Sequence, residues 1–173
     1  MNILPLFKNI TCFVFDIDGV LTDGTILAFD NGEQVRRMNI KDGYALQLAV
    51  KKGYKVIAIS GADSEAAKLR LNKLGIKEVF TRIENKKEKL LDYMTVYHLK
   101  KEEVLFMGDD IPDHDAMLEA GLSCSPSDAV AEIKQQAKYI SPYKGGEGCV
   151  RDVIEKVLKL NGQWTADISI ASR

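Results

Sequence analysis

The sequence predicts an α/β fold in which a Rossmann-like parallel sheet carries helices on both of its faces. Two observations indicate this architecture. Short apolar runs of strand length alternate with segments of helical periodicity along nearly the whole chain. Several of these helical segments are followed by a glycine, the residue that commonly ends a helix. No stretch resembles a linker, a low-complexity tract or an internal repeat, so residues 1–173 are expected to form a single domain.

The first predicted elements are a strand, a hairpin and a helix. Residues 11–15 form an apolar run suited to a buried strand. Asp30-Asn31-Gly32 separates two short extended runs, so a small β-hairpin flap is expected at about residues 24–38. Residues 42–53 place apolar side chains at helical spacing, and Gly53 is a natural end for that helix.

Strands and helices continue to alternate in the rest of the chain. The helical pattern over 64–74 stops at Gly75, and the one over 112–120 stops at Gly121. A polar tail at about residues 161–173 is expected to be loose. The remaining predicted strands are 55–60, 78–80, 104–107, 122–125 and 139–141, and the remaining predicted helices are 86–97, 128–137 and 148–160.

Composition and charge exclude several classes of function. The chain is 46% hydrophobic and 28% charged with a net charge of −1, and acids and bases are interleaved, so neither a nucleic-acid groove nor a membrane-surface patch is expected. No apolar run approaches the length of a membrane-spanning helix, and we expect no signal peptide. Cys12, Cys124 and Cys149 lack the spacing of a zinc site, so reduced, buried thiols and a cytoplasmic location are expected.

Polar side chains follow three of the predicted strands at the point where each strand ends. Asp16-Ile17-Asp18 follows the first strand, Ser60-Gly61 the second, and Gly108-Asp109-Asp110 a later one, with Asp113 close behind. Lys86 opens a helix between the last two. Because the carboxyl ends of parallel strands meet at one edge of a sheet, we expect these groups to converge on a single site.

The residue types predict phosphoryl-transfer chemistry. Clustered carboxylates repel one another unless a cation joins them, and hard oxygen ligands together with a substrate phosphate favour Mg²⁺. Asp16 and Asp18 flank one residue and therefore point to the same face of an extended segment. One carboxylate could attack phosphorus to give an aspartyl-phosphate while the other handles protons. Lys86 would offset negative charge, and Ser60 with nearby N–H groups would hold phosphate oxygens.

Each of these residues also has an ordinary structural explanation. A serine after a strand is usually a helix cap, Gly61 usually marks a turn, and a lysine at a helix start is usually solvated. The combination favours catalysis, because the required types stand at three strand ends in a workable order.

These residues resemble the four motifs of the haloacid dehalogenase superfamily of phosphatases. The matching segments are "DIDGVLTD" at 16–23, Ser60-Gly61, Lys86 and "GDDIPD" at 108–113, all in the family order. The resemblance implies the following roles: Asp16 as nucleophile; Asp18 as general acid and base; Ser60 and Lys86 as phosphoryl-binding catalytic residues; Asp16, Asp109 and the backbone carbonyl of Asp18 as Mg²⁺ ligands; and Asp110 and Asp113 as supporting residues.

Two further segments narrow the resemblance. "NIKDGYALQLAV" at 39–50 and "GGEGCVRD" at 145–152 resemble the 3-deoxy-D-manno-octulosonate 8-phosphate (KDO 8-phosphate) phosphatases over roughly residues 8–162. That family removes phosphate from a sugar acid during lipopolysaccharide synthesis. The resemblance implies a substrate-binding set of Asp18, Asn39, Ile40, Lys41, Asp42, Gly43, Gly61, Arg70 and Lys86, in which Arg70 is a candidate partner for the sugar carboxylate.

The same resemblance implies a capless core and an assembly of four chains. The segment between the first motif and Ser60 is too short for the inserted cap domain that many superfamily members carry. In the family, neighbouring subunits cover the site and the hairpins meet at the centre of a homotetramer. The 145–148 segment then either reaches a neighbouring site or is a flexible loop before the last helix.

Three other functions remain open from the residues. A sister group hydrolyses the nine-carbon analogue, 2-keto-3-deoxynononate 9-phosphate, and carries a glutamate where this chain has Ala62, so the eight-carbon substrate is favoured. Gln47 and Ala62 also replace arginines of enterobacterial members. A non-catalytic assembly module is disfavoured because every motif is intact. A receiver domain is disfavoured because Asp18 stands where it would speed hydrolysis of the acyl phosphate.

Overall fold

The computed structural model describes residues 3–171, so the ends of the predicted domain, residues 1–2 and 172–173, lie outside the described range. The strands are β1 Cys12–Phe15, β2 Leu27–Ala28, β3 Gln34–Val35, β4 Lys55–Ile59, β5 Glu78–Phe80, β6 Val104–Met107, β7 Leu122–Ser125 and β8 Tyr139–Ile140. The α-helices are α1 Leu4–Lys8, α2 Ile40–Lys51, α3 Glu65–Lys73, α4 Lys86–Val96, α5 His114–Glu119, α6 Ala131–Gln136 and α7 Cys149–Leu160.

Six of the strands form a parallel sheet in the order β5-β4-β1-β6-β7-β8. The central strand β1 pairs with β4 on one side and with β6 on the other. In this register, Cys12 is paired with Lys55 of β4 and with Val104 of β6. The carboxyl ends of these three strands therefore lie side by side, as predicted from the alternating pattern. The predicted fold class is confirmed.

The core lies in two layers on opposite faces of the sheet. Side chains of β1 alternate between them: Phe13 and Phe15 belong to the cluster with α2, α3 and α7, while Cys12 and Val14 belong to the cluster with α4, α5 and α6. All four are at most 1% exposed. A strand buried on both faces has no solvated side to carry polar residues, which is why β1 is continuously apolar.

The predicted hairpin is formed by β2 and β3, which pair antiparallel with Leu27 opposite Val35. At its tip, the amide of Phe29 donates to the carbonyl of Glu33 at 2.9 Å, and Gly32 adopts a left-handed conformation with a φ of +84°. The hairpin projects several apolar side chains into solvent. These are Ile26, Leu27, Phe29 and Val35, each at least 41% exposed.

Some element boundaries differ from the prediction. The helix predicted over 112–120 is a 3₁₀ turn, Ile111–Asp113, followed by α5. The helix predicted over 128–137 begins only at Ala131, after a turn. No prediction covered α1, although Phe7 within it is fully buried and its ring packs edge-on against Tyr139 with centroids 5.2 Å apart.

The described part of the C-terminal tail, residues 161–171, lies against α2. Lys51 Nζ donates to Asp167 Oδ2 at 2.6 Å, and the Trp164 ring packs edge-on against Tyr44 with centroids 6.2 Å apart. The looseness predicted for residues 161–173 stays a prediction, and its last two residues lie outside the described range. Among the helices of residues 3–171, none has the length and apolar character needed to cross a bilayer.

Candidate active site

The ends of β1, β4 and β6 surround one cavity of about 320 Å³. Every catalytic, metal-binding and supporting residue predicted from the sequence lines it. The lining comprises Asp16, Asp18, Gly24, Ser60, Gly61, Ala62, Ile83, Lys86, Asp109, Asp110, Pro112 and Asp113.

A buried ion-pair network lies at the base of this cavity. Lys86 Nζ donates to Asp16 Oδ1 and to Asp113 Oδ1, both at 2.6 Å. The three residues are 6%, 5% and 1% exposed, respectively. Burial alone would lower the pKa of Lys86, but the two carboxylates outweigh it and raise that pKa, so the ammonium stays charged. Lys86 is held at this place by the start of α4, where Asn85 Oδ1 accepts the amide of Glu88 at 3.0 Å.

Asp113 connects this network to the loop after β6. Its second oxygen, Oδ2, accepts the amide of Asp109 at 3.0 Å and that of Asp110 at 3.5 Å. A Cβ on Gly108 would lie 2.4 Å from Asp113 Cβ, so only glycine allows this close approach. Asp113 therefore orients both Lys86 and the backbone that carries Asp109.

Asp16, Asp109 and Asp113 form an acidic cluster suited to a hard divalent cation. Each offers a carboxylate oxygen, and these atoms lie within 4.8 Å of one another. Asp109 Oδ1 is buried and has no hydrogen-bond partner within residues 3–171. Burial and then neighbouring carboxylates raise the pKa of Asp16 to about 7 and that of Asp109 to about 8. A bound cation would satisfy the orphaned oxygen and relieve the repulsion, so the donor set fits the predicted Mg²⁺.

The turn after β1 approaches this cluster closely. A Cβ on Gly19 would lie 2.0 Å from Asp109 Oδ2, so the turn needs glycine there. Gly19 also has a φ of +92°, which other residues rarely adopt. The side chain of Asp18 is not part of the acidic cluster, and the predicted metal contact through its backbone carbonyl stays a prediction.

Asp18 is instead paired with Arg36, a residue that sequence reasoning missed. Arg36 Nε donates to Asp18 Oδ1 at 2.7 Å, and Nη2 donates to Oδ2 at 3.2 Å. The hairpin carries two successive arginines just after β3, and in an extended segment successive side chains point to opposite sides. That pattern was the available signal that one arginine of the pair faces inward, although it does not identify the partner.

Ser60 and Gly61 line the cavity at the end of β4. Ser60 is 3% exposed, and its Oγ accepts the amide of Ala62 at 3.2 Å. The hydroxyl acts as the acceptor in this bond, which keeps its own proton available for a ligand oxygen. Its ordinary role in a turn and its predicted role in phosphate binding are therefore compatible.

Of the predicted substrate-binding set, Asp18, Gly61 and Lys86 line this cavity, whereas residues 39–43 and Arg70 do not line it within one chain. Asn39 and Lys41 line a separate groove of about 530 Å³ beside α7, and Arg70 lines a depression along α3. Gly43 packs closely against the side chain of Arg70, because a Cβ on Gly43 would lie 3.0 Å from Arg70 Nη2. Ile40 is 60% exposed at the start of α2.

Asp42 is buried where the first turns of α2 and α7 meet. It is 1% exposed; Oδ1 accepts the amide of Arg151 at 2.8 Å, and Oδ2 has no hydrogen-bond partner within residues 3–171. Burial raises the pKa of Asp42 to about 6, although backbone N–H groups of Arg151 and Gly148 oppose the shift. In one chain, this carboxylate joins two helices.

The loop at residues 145–148 contacts the turn that follows β1 in its own chain. The amide of Gly146 donates to the carbonyl of Val20 at 3.0 Å, and Asn39 Nδ2 donates to the carbonyl of Gly146 at 3.1 Å. A Cβ on Gly145 would lie only 1.9 Å from the carbonyl oxygen of Gly19. The two glycines therefore let the loop lie directly against the active-site turn.

Comparison with known proteins agrees with this geometry. A family model for haloacid dehalogenase-like hydrolases matches residues 78–154. The 3-deoxy-D-manno-octulosonate 8-phosphate phosphatase KdsC of Escherichia coli (strain K12) is 31% identical over 162 residues, which cover 94% of this chain and 86% of the relative.

Solved structures show the same fold. The KDO 8-phosphate phosphatase of Yersinia pestis superposes with a TM-score of 0.90 at 28% identity, covering 93% of this chain and 87% of that one. The phosphatase of Moraxella catarrhalis, solved with a magnesium ion, a phosphate ion and KDO, has a TM-score of 0.88 at 30% identity and covers 91% of each chain.

The sheet edge, the buried lysine and the acidic cluster match the arrangement expected of a hydrolase of phosphoric monoesters, and the named relatives are enzymes of this class. The chain belongs to the haloacid dehalogenase superfamily of phosphatases. Within it, the chain is similar over nearly its whole length to the KDO 8-phosphate phosphatases. The predicted superfamily and enzyme class are thereby confirmed.

Proposed function

We propose that the protein is a Mg²⁺-dependent phosphatase that converts KDO 8-phosphate to KDO and inorganic phosphate in lipopolysaccharide sugar synthesis. The observation that carries the proposal is the buried contact of Lys86 with Asp16 beside Asp109, at the carboxyl edge of the sheet. The identity of the substrate is supported by the activity for which the relatives are named. The sequence similarity to the Escherichia coli relative covers 94% of this chain.

In the proposed reaction, Asp16 attacks phosphorus and the ester oxygen leaves. Asp18 gives that oxygen a proton, so the products of this step are the free sugar and an aspartyl-phosphate on Asp16. Asp18, now ionised, takes a proton from a water molecule that attacks the aspartyl-phosphate. The second step releases inorganic phosphate and restores both carboxyl groups.

The surrounding residues bind and orient the reacting groups. Lys86, 2.6 Å from Asp16, fixes the carboxylate that attacks and offsets negative charge near phosphorus. Ser60 and Gly61 hold oxygens of the phosphoryl group. Mg²⁺ would be held by Asp16, Asp109 and the backbone carbonyl of Asp18, and when bound it supplies positive charge to the phosphoryl oxygens.

The sugar is proposed to be recognised by residues 39–43 and by Arg70, contributed across a subunit interface. Within one chain these residues line other surfaces than the Asp16 cavity, so a neighbouring copy is the natural source of such contacts. A homotetramer is supported by the exposed apolar side chains of the hairpin, since clustered exposed apolar groups commonly mark interfaces. A cytoplasmic location is supported by three buried cysteines, none of them in a disulfide.

The nine-carbon sugar phosphate is the alternative substrate. Ala62 lines the cavity, so the side chain at this position can affect which sugar fits. Alanine here, where the sister group carries a glutamate, favours the eight-carbon compound. The intact motif residues around the cavity favour an enzyme over an assembly module.

The proposal is tested by measuring phosphate release, with Mg²⁺ present, from the eight-carbon and nine-carbon sugar phosphates and from hexose phosphates. We expect kcat/KM to be at least about 10-fold higher for KDO 8-phosphate, equivalent to about 1.4 kcal/mol. Preference for the nine-carbon compound would contradict the substrate assignment. Asp16→Asn is the control for the chemistry, and unchanged turnover in this variant would exclude Asp16 as the nucleophile.

A further inference from the structure

The flap hairpin contacts Asp18, a residue of the cavity lining, through the side chain of Arg36. Most of the hairpin is exposed to solvent, yet the Arg36 side chain is only 5% exposed. Its guanidinium contacts both oxygens of Asp18, whose side chain is 28% exposed and which lines the cavity with Asp16. A paired contact of this kind fixes the plane of a carboxylate as well as its position.

The neighbouring arginine shows what an ordinary surface pair on this hairpin looks like. Arg37 is 78% exposed, and one of its nitrogens lies 2.8 Å from Asp23 Oδ2. Asp23 is outside the cavity lining and is already held by Thr25, whose amide and hydroxyl donate to Asp23 Oδ1 at 3.0 and 2.6 Å. An exposed ion pair such as Arg37–Asp23 contributes little to stability. A buried arginine that contacts both oxygens of a carboxylate instead restrains the orientation of that carboxylate.

We infer that Arg36 is a positioning residue, which holds the Asp18 carboxylate at the cavity wall in the orientation needed for proton transfer. The inference rests on the proposed function, in which Asp18 gives a proton to the departing sugar oxygen and later takes one from water. If Arg36 has this role, the flap hairpin supports proton transfer in the active site of its own chain.

The contact is compatible with both proton transfers. While Asp18 carries its proton on one oxygen, the other oxygen can keep its bond to Arg36 Nε. When the proton moves to the sugar oxygen, the O–H bond of Asp18 breaks and both carboxylate oxygens can accept from the arginine, which is the arrangement observed. Without Arg36, the side chain of Asp18 would sample other rotamers, and the fraction of correctly oriented encounters would fall.

The test compares Arg36→Gln with Arg36→Lys and with the matched control Arg37→Gln, using full-length protein and Mg²⁺. The sugar oxygen of KDO 8-phosphate leaves as an alkoxide and needs a proton, whereas the nitrophenolate of p-nitrophenyl phosphate leaves without one. For Arg36→Gln we expect a loss of kcat of about 10- to 100-fold on KDO 8-phosphate. We also expect a KM within about 3-fold of wild type and a wild-type rate for the first burst of nitrophenolate. Arg36→Lys should recover part of the loss, and Arg37→Gln should match wild type.

A double-mutant cycle separates positioning from a general effect on folding. If Arg36 acts through Asp18, adding Arg36→Gln to Asp18→Ala should cause no further loss of kcat. The inference is overturned if Arg36→Gln turns over KDO 8-phosphate as fast as wild type or faster, if the nitrophenolate burst slows equally, or if the two losses multiply. A wild-type protein that releases phosphate from no substrate would instead refute the proposed function itself.

Discussion

Replacing Lys86 by methionine removes the cation that contacts both Asp16 and Asp113 while keeping most of the side-chain volume. The ammonium lies 2.6 Å from each carboxylate, and Lys86 is 6% exposed. Removing one partner from a buried ion pair leaves uncompensated charge, which lowers the free energy of unfolding by about 3–5 kcal/mol. We expect a loss of this size for Lys86→Met at a pH near 8.5, together with loss of phosphatase activity.

This deficit should shrink as the pH falls. The pKa of Asp16 is raised from 3.8 to about 7, so protonation of this group favours the folded state: stability is gained at low pH and lost as the pH rises through that pKa. Without Lys86, which lowers the pKa of Asp16 in wild type, that pKa rises further, and Asp16 can become neutral instead of remaining as an unpaired charge. The variant should therefore be closest to wild type at a pH near 5.5.

Urea unfolding in the presence of a metal chelator, at both pH values, measures the effect. The matched control is Lys87→Met, because Lys87 is the next residue of α4 and pairs with Glu119 at 2.8 Å on the surface. We expect the control to have the same free energy of unfolding as wild type, since exposed ion pairs contribute little to stability. A deficit in Lys86→Met that is equal at the two pH values, or larger at the lower one, would refute the electrostatic explanation.

Three further perturbations follow from the same geometry. Asp109→Asn should raise the Mg²⁺ concentration for half-maximal activity at least about 10-fold, because a charged donor is lost, and an unchanged Mg²⁺ titration would argue against its role as a ligand. Asp42→Asn keeps the acceptor for the Arg151 amide but cannot ionise; since the pKa of Asp42 is raised from 3.8 to about 6, wild type loses stability as the pH rises through that value. The variant should therefore gain up to about 3 kcal/mol relative to wild type between roughly pH 4 and pH 7 in urea unfolding, and a relative loss would contradict the assignment. Gly145→Ala would place a Cβ 1.9 Å from the carbonyl oxygen of Gly19, so a loss of about 1–3 kcal/mol in thermal unfolding is expected, and a wild-type melting temperature would show that the loop can move away.

The sequence predicted the sheet edge because its signals are local. The run before Asp16 is apolar on both faces and ends in carboxylates, and parallel topology then brings that end beside Ser60 and Gly108. The buried lysine was identified through its motif, and its distance to Asp16 follows from where α4 begins. Each of these inferences needed only the order of elements and the direction of the strands.

The partner of Asp18 could not be predicted in the same way. The Arg36–Asp18 contact depends on how a short, exposed hairpin folds back onto the turn after β1, and hydrophobic periodicity carries no information about that angle. The same holds for Gly145, whose contact with Gly19 joins segments far apart in the chain. Likewise, the five-residue helix α1 is too short to show a period.

The two aspartates that are proposed to be catalytic have different kinds of structural support. Asp16 ends the central strand and contacts a buried lysine, so its position is fixed by the sheet and by α4. Asp18 lies two residues further, on a turn that Gly146 contacts at Val20 and that the hairpin contacts through Arg36. A nucleophile has to meet phosphorus at one geometry, whereas a proton-transfer group serves first a sugar oxygen and then a water molecule. It follows that changes in the hairpin should alter proton transfer while leaving the attack by Asp16 intact, and the burst of nitrophenolate distinguishes these two steps.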